Sequence, residues 1–357
     1  MRALVLLIVL VATTAPAAAS TPPLAPTYAL PPGNPLKVRP HADQPTEVTL
    51  GIYLLNISHI SEQDETLDVD GFIFLRWKDP RLAFDPARVG APTRAYSPDD
   101  IWRPRVELVN ARGDRTQTLV ELLGLPDGEV RYAERFSATV LSPMHQRSFP
   151  FDSAVFTIAV ESFRADARKL VFRVGQDLMG RSPDISTNEW SLKEMTATVV
   201  RRSFPPEGQE FSRFLVRLSA DRKYEFYVWK VILPLIVIVA MSWSVFWVDP
   251  SDLNTQMQVS ITSMLAAIAF NFAIGNSLPS LAYLTWIDAF IFTCYSIIFL
   301  SIVEDMVVHV AWRSQRHELA HRVDRASRWL FPLAFVLVNV ILALSFLGSR
   351  PSTVALS

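Results

Sequence analysis

The sequence predicts an all-β, immunoglobulin-like sandwich domain outside the membrane, followed by a four-helix transmembrane bundle. Two observations lead to this fold class. Residues 46–222 have the pattern of many short β-strands, and four long apolar segments follow after residue 223. Half of the 357 residues are hydrophobic, which fits a chain that is only partly embedded in a membrane. The net charge of −1 gives no indication of a nucleic-acid partner.

The first 19 residues have the features of a secretory signal peptide. Arg2 precedes an apolar run, and small residues end the segment at Ala19, as they do at signal-peptide cleavage sites. An uncleaved N-terminal anchor is the alternative, although the run is short for the roughly 20 residues that a spanning helix needs. Residues 20–45 contain eight prolines, which predicts an extended, flexible arm.

Residues 46–222 alternate between β-favouring runs and turn signals. Runs such as TLGIYLLNISHI and SAVFTIAVESF are separated by turns at Asp79-Pro80 and at residues 126–128 and 205–208. No long amphipathic helix pattern interrupts these runs. Many short strands at this spacing are typical of a β-sandwich, so we expect one such domain over residues 46–222.

The four apolar segments are each long enough to cross a hydrocarbon core of about 30 Å. Because backbone groups inside a bilayer must bond within their own segment, each is expected to be a helix. The predicted spans are residues 223–248, 253–275, 285–310 and 329–348. The predicted loop at residues 311–328 carries five arginines, which places it in the cytoplasm by the positive-inside rule. The sandwich domain then lies on the outer side.

The second span has a distinctive stripe along one helical face. Its members follow one another at steps of three and four residues, and the stripe is polar at both ends and apolar in its outer half. They are Asn254, Gln258, Thr262, Leu265, Ala269, Phe272 and Asn276. One interpretation is hydrogen bonding between helices of the bundle. The other is a pore wall shared by a symmetric ring of subunits, with hydrophobic constrictions at Leu265 and Phe272.

Five short motifs occur in a specific order along the predicted elements. They are IWRPRVELVN at residues 101–110, PDGEVRYAERF at 126–136, FPFD at 149–152, MSWSVFW at 241–247 and NSLP at 276–279. Together with the order of the domains, they resemble the bacterial branch of the pentameric ligand-gated ion channels, or Cys-loop receptors, and in particular its amine-gated members. Ser142 and Phe156 stand where the family has its disulfide-forming cysteines.

The resemblance implies a homopentamer in the bacterial inner membrane, multi-pass and with a periplasmic N-terminal domain. It further implies a small-molecule or proton ligand, inorganic cations as the permeating species and contact with membrane lipids. No cofactor is implied. Proton-gated bacterial members have two titratable groups in the second span, and Ala267 and Gly275 stand at those positions here. Proton sensitivity would therefore need other groups, such as Glu161 or His59.

A ligand site between subunits is also implied by the resemblance. Its lining would be Tyr53, Phe72, Glu107, Asn110, Glu161, Ser162, Phe163 and Phe211. Aromatic faces combined with carboxylates suit an ammonium group, through cation–π attraction and charge pairing. The alternative is that these aromatic side chains belong to the core of the sandwich, as most aromatic residues on strands do.

The same resemblance implies a junction that couples ligand binding to the pore. Its residues would be Phe149, Pro150, Phe151, Asp152, Arg222 and Pro279, with the loop at residues 61–65 beside them. Asp152 and Arg222 would form an ion pair, which could equally be purely structural. Phe149 and Phe151 are expected to press toward the connection between the second and third spans.

Charge at the inner mouth of the pore predicts cation selectivity. Asp249 and Asp252 lie there, and the stripe of the second span carries no basic residue. A non-conducting membrane receptor with a periplasmic binding sandwich is the alternative. Enzyme activity is not expected, because the sequence contains no P-loop, nucleophile elbow or dinucleotide-binding fingerprint. The single cysteine, Cys294, excludes an intrachain disulfide and a zinc site built on cysteine pairs.

Overall fold

A computed structural model describes residues 35–162, 164–204, 208–275, 281 and 283–347 of the chain. Several predictions concern positions outside these residues. They are the signal peptide at residues 1–19, most of the arm at residues 20–45, and the site residues Phe163, Asn276 and Pro279.

The outer domain is a β-sandwich of two sheets. One sheet has the strand order β3-β5-β6-β2-β1-β8, with β9 also paired to β1, and the other has the order β10-β11-β7-β4. The strands are β1 Thr46–Ser61, β2 Thr66–Lys78, β3 Arg94–Ala95, β4 Glu107–Leu108, β5 Thr116–Gly124, β6 Glu129–Leu141, β7 Ser153–Glu161, β8 Leu170–Val174, β9 Gly180–Arg181, β10 Trp190–Phe204 and β11 Gln209–Arg222.

Alternating burial along the strands builds the core between the two sheets. On β1, Val48, Leu50, Ile52 and Leu54 are fully buried, because side chains two residues apart point to the same face of a strand. A 3₁₀ turn at Pro35–Lys37 precedes β1, and a short helix, α1 Pro86–Val89, and two 3₁₀ turns at Pro80–Leu82 and Gln176–Leu178 lie between strands. The predicted sandwich is therefore present over the predicted range.

Four long helices follow the sandwich and are long and apolar enough to cross a membrane. They are α2 Glu225–Trp247, α3 Leu253–Ile274, α4 Trp286–Arg313 and α5 His317–Leu347. Hydrogen bonds at the helix starts fix two of these boundaries. The Asp252 carboxylate accepts from Thr255 N at the start of α3, and Thr285 and Asp288 form a capping box at the start of α4.

Residues 311–328, predicted as a short loop before a span at residues 329–348, are mostly helical. Helix α4 continues to Arg313, and α5 begins at His317 rather than at residue 329. The intervening sequence consists largely of arginine, alanine, leucine and glutamate, which are good helix formers. Its arginines marked where the apolar segment ends, but charge does not end a helix.

Candidate functional site

The loop that carries the FPFD motif connects the sandwich to the ends of the membrane helices. The backbone N–H groups of Trp286 and Ile287, in the first turn of α4, donate to the carbonyl oxygens of Arg147 and Phe149 at 2.9 and 3.2 Å. These N–H groups have no partner within the helix, so the loop satisfies them. Ser148 Oγ also donates to the carbonyl of Phe346 near the end of α5, at 2.9 Å. The loop is thus bonded to two spans.

Aromatic packing strengthens this connection. Phe149 is fully buried, and its ring centre lies 4.8 Å from that of Tyr227 in α2. The ring of Phe151 lies 5.1 Å from that of Trp286 at the start of α4. The structure therefore brings both phenylalanines against the outer ends of α2 and α4. The Phe149–Pro150 peptide bond is cis.

Arg222, at the end of β11, is the centre of the junction. Its guanidinium donates to both carboxylate oxygens of Asp152, from Nε at 2.7 Å and from Nη2 at 3.1 Å, and to Glu62 from Nη1. The guanidinium carbon also lies 4.3 Å from the ring centre of Trp190 and 4.7 Å from that of Phe149. The Arg222 side chain is completely buried, so this charge depends on protein partners alone.

Glu62 is a junction residue that was not among the predicted site residues. Burial raises the pKa of its carboxyl above the ordinary value, and the attraction of Arg222 opposes this shift only in part. Only its place in the loop at residues 61–65 marked it in the sequence. Trp190 was missed entirely, because an aromatic residue at the start of a strand has no feature that separates it from ordinary core.

The residues predicted to bind a ligand fall into two groups on different sheets. Tyr53 and Phe72 are direct register partners on β1 and β2, and both are partly exposed. Glu107 and Glu161 are register partners on β4 and β7 in the other sheet. The two groups therefore belong to different faces of one subunit, and a site that uses both needs two neighbouring subunits.

Glu161 is already paired within its own subunit. Arg213 of β11, its register partner on the other side, donates from Nε to the Glu161 carboxylate at 2.7 Å, and Glu161 is buried. The Arg213 guanidinium therefore neutralises Glu161, one of the two carboxylates predicted to bind an amine. Glu107 is exposed and forms no ion pair with any residue that the structure describes.

The remaining predicted ligand residues are largely built into the sandwich. Asn110 donates from Nδ2 to the carbonyls of Leu141 and Thr157, each at 2.8 Å, and its Oδ1 accepts from Ala159 N. Ser162 and Phe211 are buried, with 2% and 4% of their surface exposed. Asn110 thus connects neighbouring strands. Of the described residues in the predicted ligand set, Tyr53, Phe72 and Glu107 have the accessible side chains.

The predicted stripe on α3 is the uncovered face of that helix. The side chains of Asn254, Gln258, Thr262 and Ala269 are exposed, and those of Leu265 and Phe272 are 65% and 80% exposed. No charged residue occurs between positions 253 and 275. The stripe is therefore available to face an axis shared with other subunits.

The opposite face of α3 packs inside the bundle and carries the interhelical polar contacts. Gln256, Ser260, Ser263 and Ala267 are buried there. Ser260 Oγ donates to the carboxylate of Asp305 in α4 at 2.7 Å. Hydrogen bonding between helices, the alternative interpretation of the stripe, therefore belongs to a different face of the same helix.

The inner end of the stripe begins beside Asp252. Its carboxylate accepts from Thr255 N at 3.1 Å and from Thr255 Oγ1 at 2.5 Å. These hydrogen bonds hold the pKa of Asp252 below its ordinary value, so the group is ionised at neutral pH. The outer sandwich is thus bonded to the ends of α4 and α5, and α3 exposes an uncharged stripe that begins beside a carboxylate. These features define the class of gated channels assembled from several subunits.

Comparison with known proteins identifies the family. The neurotransmitter-gated ion-channel ligand binding domain matches residues 35–222, and the neurotransmitter-gated ion-channel transmembrane region matches residues 231–320. The chain is 37% identical over 309 residues to a proton-gated ion channel of Gloeobacter violaceus, covering 87% of this chain and 86% of that protein. The chain belongs to the family of pentameric ligand-gated ion channels.

More distant relatives are animal receptor subunits. The human gamma-aminobutyric acid receptor subunit rho-2 is 25% identical over 294 residues, which are 80% of this chain and 62% of that subunit. The mouse subunit theta is 24% identical over 299 residues, which are 82% of this chain and 47% of that subunit. The predicted fold class and family are confirmed, as is a multi-pass membrane protein with a periplasmic N-terminal domain. Likeness to the amine-gated members in particular stays a prediction.

Proposed function

We propose that this chain forms a homopentameric, cation-selective channel of the bacterial inner membrane that opens when protons bind in the periplasmic domain. The exposed, uncharged stripe of α3 carries the pore part of this proposal. Five copies around an axis would line a conduit with Gln258 and Thr262 toward the inner end and Leu265 and Phe272 as hydrophobic constrictions. The ionised Asp252 would form a ring of negative charge at the inner mouth and favour cations.

Protons are the preferred stimulus because of the junction around Arg222. Glu62 contacts Arg222 and has a raised pKa, so it gains a proton at a higher pH than an exposed glutamate does. Protonation removes one of the two negative charges hydrogen-bonded to Arg222, and the more distant Glu189 carboxylate, 3.9 Å from Nη1, then remains with Asp152. The loop at residues 61–65 then loses its hold on the guanidinium, while Asp152 keeps the FPFD loop attached. The relative from Gloeobacter violaceus is described as proton-gated, which agrees with this proposal.

The FPFD loop would transmit this change to the pore. It supplies the carbonyl partners for the first turn of α4 and packs Phe151 on Trp286, so a displacement of the loop displaces the outer end of α4. Helix α4 in turn holds α3 through the bond between Asp305 and Ser260. The proposed coupling element is thus the buried charge network around Arg222, which would need a second arrangement when Glu62 is protonated.

A small amine is the second candidate for the stimulus, and one observation favours it. Tyr53 and Phe72 present a paired aromatic surface, and Glu107 on the other sheet is exposed and without an ion pair among the described residues. Across a subunit boundary these groups would suit an ammonium ion. Glu161 would take little part, because Arg213 neutralises it.

Voltage-clamp recording from oocytes that express the chain tests this proposal. We expect inward currents on acidification of the external solution, with reversal potentials that follow the sodium gradient. Primary amines applied at constant neutral pH form the second arm, and currents in that arm alone would replace protons by amines as the stimulus. Asp252→Asn keeps the helix cap but removes the charge, so it should lower the sodium-to-chloride permeability ratio. Absence of current under every stimulus, with protein at the surface, would favour the non-conducting receptor.

A further inference from the structure

An open cleft of about 500 Å³ lies in the outer domain, beside the segment that ends in Ser162. It is formed by the 3₁₀ turn at Pro35–Lys37, the segment at residues 98–105 and the segment that follows β7. Its size falls within the range of small-molecule sites. Among the described residues of the predicted ligand set, only Ser162 lines the cleft, and Tyr53, Phe72, Glu107 and Glu161 do not.

Positive charge dominates this cleft. Its charged lining consists of Lys37, Arg103, Arg105 and Arg164, with Asp99 as the only carboxylate. Within the part of the chain that the structure describes, none of these four cations forms an ion pair. Other arginines of the domain behave differently, since Arg81 and Arg213 each bind a buried carboxylate. Four unpaired cations around one open space create a positive potential that attracts anions.

Three arginines line the cleft, and one of them is held by neighbouring groups. Arg103 is held in place, because its Nε donates to the carbonyl of Pro98 at 3.2 Å and its guanidinium lies 5.8 Å from the ring centre of Tyr132. Arg105 and Arg164 are exposed at the same cleft. A guanidinium presents a fork of N–H donors that matches phosphate oxygens in pairs, and a net lining charge of about +3 calls for a polyvalent anion.

We propose that this cleft binds a small polyvalent oxyanion of the phosphate class. Two residues that line the cleft are close in sequence to the carboxylates of the predicted ligand set. Ser162 follows Glu161 directly, and Arg105 precedes Glu107 by two residues, whereas Glu107 and Glu161 pair across β4 and β7. A bound anion therefore restrains both segments that carry the carboxylates of that face. The cleft is therefore a second site with a positive lining that binds an anion, whereas an amine or proton site binds a cation.

Calorimetric titration of pyrophosphate into the purified full-length pentamer tests this inference, at fixed ionic strength and neutral pH. We expect saturable binding to the unmodified protein and at least a tenfold loss of affinity in the double variant Arg105→Gln/Arg164→Gln. The double variant Arg88→Gln/Arg201→Gln removes the same charge from exposed arginines outside the cleft and should bind as the unmodified protein does. Size-exclusion chromatography establishes that each variant is a folded pentamer.

Two further arms decide the chemistry. Arg105→Lys/Arg164→Lys keeps the charge but loses the guanidinium forks, so its affinity should fall between those of the unmodified protein and the glutamine variant. Succinate should bind more weakly than pyrophosphate, and equal or tighter binding of succinate would overturn the phosphate class. Absence of saturable binding, or an equal loss in the control variant, would overturn the site. Binding is measured without current, so this result is independent of whether the proposed channel function holds.

Discussion

At the scale of single residues, Arg222 determines how the outer domain meets the membrane. Its guanidinium bonds to Asp152 and Glu62 and lies against the rings of Phe149 and Trp190. The five residues come from four segments, because Phe149 and Asp152 share the FPFD loop, whereas Glu62 follows β1, Trp190 begins β10 and Arg222 ends β11. Removing this buried charge should lower the stability of the fold, because its carboxylate partners would stay buried without a counter-ion.

Replacement of this arginine should therefore damage both stability and gating. Arg222→Gln leaves Asp152 buried without its counter-ion, which should cost on the order of 3–5 kcal/mol. We expect a lower apparent melting temperature of the detergent-solubilised pentamer and loss of the acid-evoked current. Arg217→Gln, on the same strand but bonded only to Thr198, is the matched control and should change neither. An Arg222→Gln channel with normal stability and current would refute the central role of this network.

Glu62 gives the network its pH dependence. Its pKa in the folded chain is raised by burial, so the folded protein holds this proton more tightly than the unfolded chain does. The corresponding contribution to stability is present below the unfolded pKa and is lost as the pH rises through the raised value. Protonation of Glu62 does not itself favour acid unfolding, which is consistent with its proposed role as a switch within the folded state.

Glu62→Gln should mimic the protonated form. We expect its half-activating pH to move toward neutral by about half a unit or more, with a shallower response, because one titrating group is gone. Asp64→Asn in the same loop is the control. Asp64 is exposed, and its hydrogen bonds to Ser61 and Arg112 lower its pKa, so it stays ionised throughout the relevant range. Identical activation curves for Glu62→Gln and the unmodified channel would assign proton sensing to other groups.

At the scale of elements, one face of α3 packs inside the subunit and the opposite face is exposed. Its inner face packs Ala267 and hydrogen-bonds Ser260 to α4, which fixes the helix in its own subunit. Its outer face leaves Leu265 and Phe272 uncovered. Such large apolar side chains gate by excluding water from a narrow conduit, and the strength of that exclusion depends on their polarity.

Leu265→Ser should therefore ease opening. A hydroxyl in place of the isobutyl group wets the constriction, so we expect activation at less acidic pH and a larger current at rest, recorded under voltage clamp. Leu300→Ser makes the same chemical change on α4, where the side chain is also exposed, and should leave gating unchanged. Equal effects of the two substitutions would mean that Leu265 does not line the conduit.

At the scale of the whole molecule, single subunits contain only parts of each site. In the proposed channel the exposed stripe of α3 forms one wall of the conduit. The aromatic pair and the carboxylates of the outer domain lie on different sheets. Under this proposal both sites become complete only when copies of the chain stand side by side, which agrees with the pentamers that the family forms.

Native mass spectrometry of the purified protein checks this assembly. We expect a dominant species of about five chains, in keeping with the family, and no stable monomer. Leu265→Ser subunits mixed with unmodified subunits should give channels with graded, intermediate half-activating pH, because every subunit contributes one side chain to the same constriction. A single shift regardless of the mixing ratio would contradict a shared pore.

The sequence by itself determined the division into sandwich and helices, the four spans and the stripe on α3, because periodicity and apolar length are local properties of a chain. Only the tertiary structure decided which charges meet. Arg222 lies 70 residues from Asp152 and 160 from Glu62, and the pairing of Glu161 with Arg213 likewise depends on strand register. The start of α5 at His317 was also not predicted from the sequence, since arginines indicate the edge of a membrane but not the end of a helix. Long-range contacts and burial, which decide these features, exist only once the chain is folded.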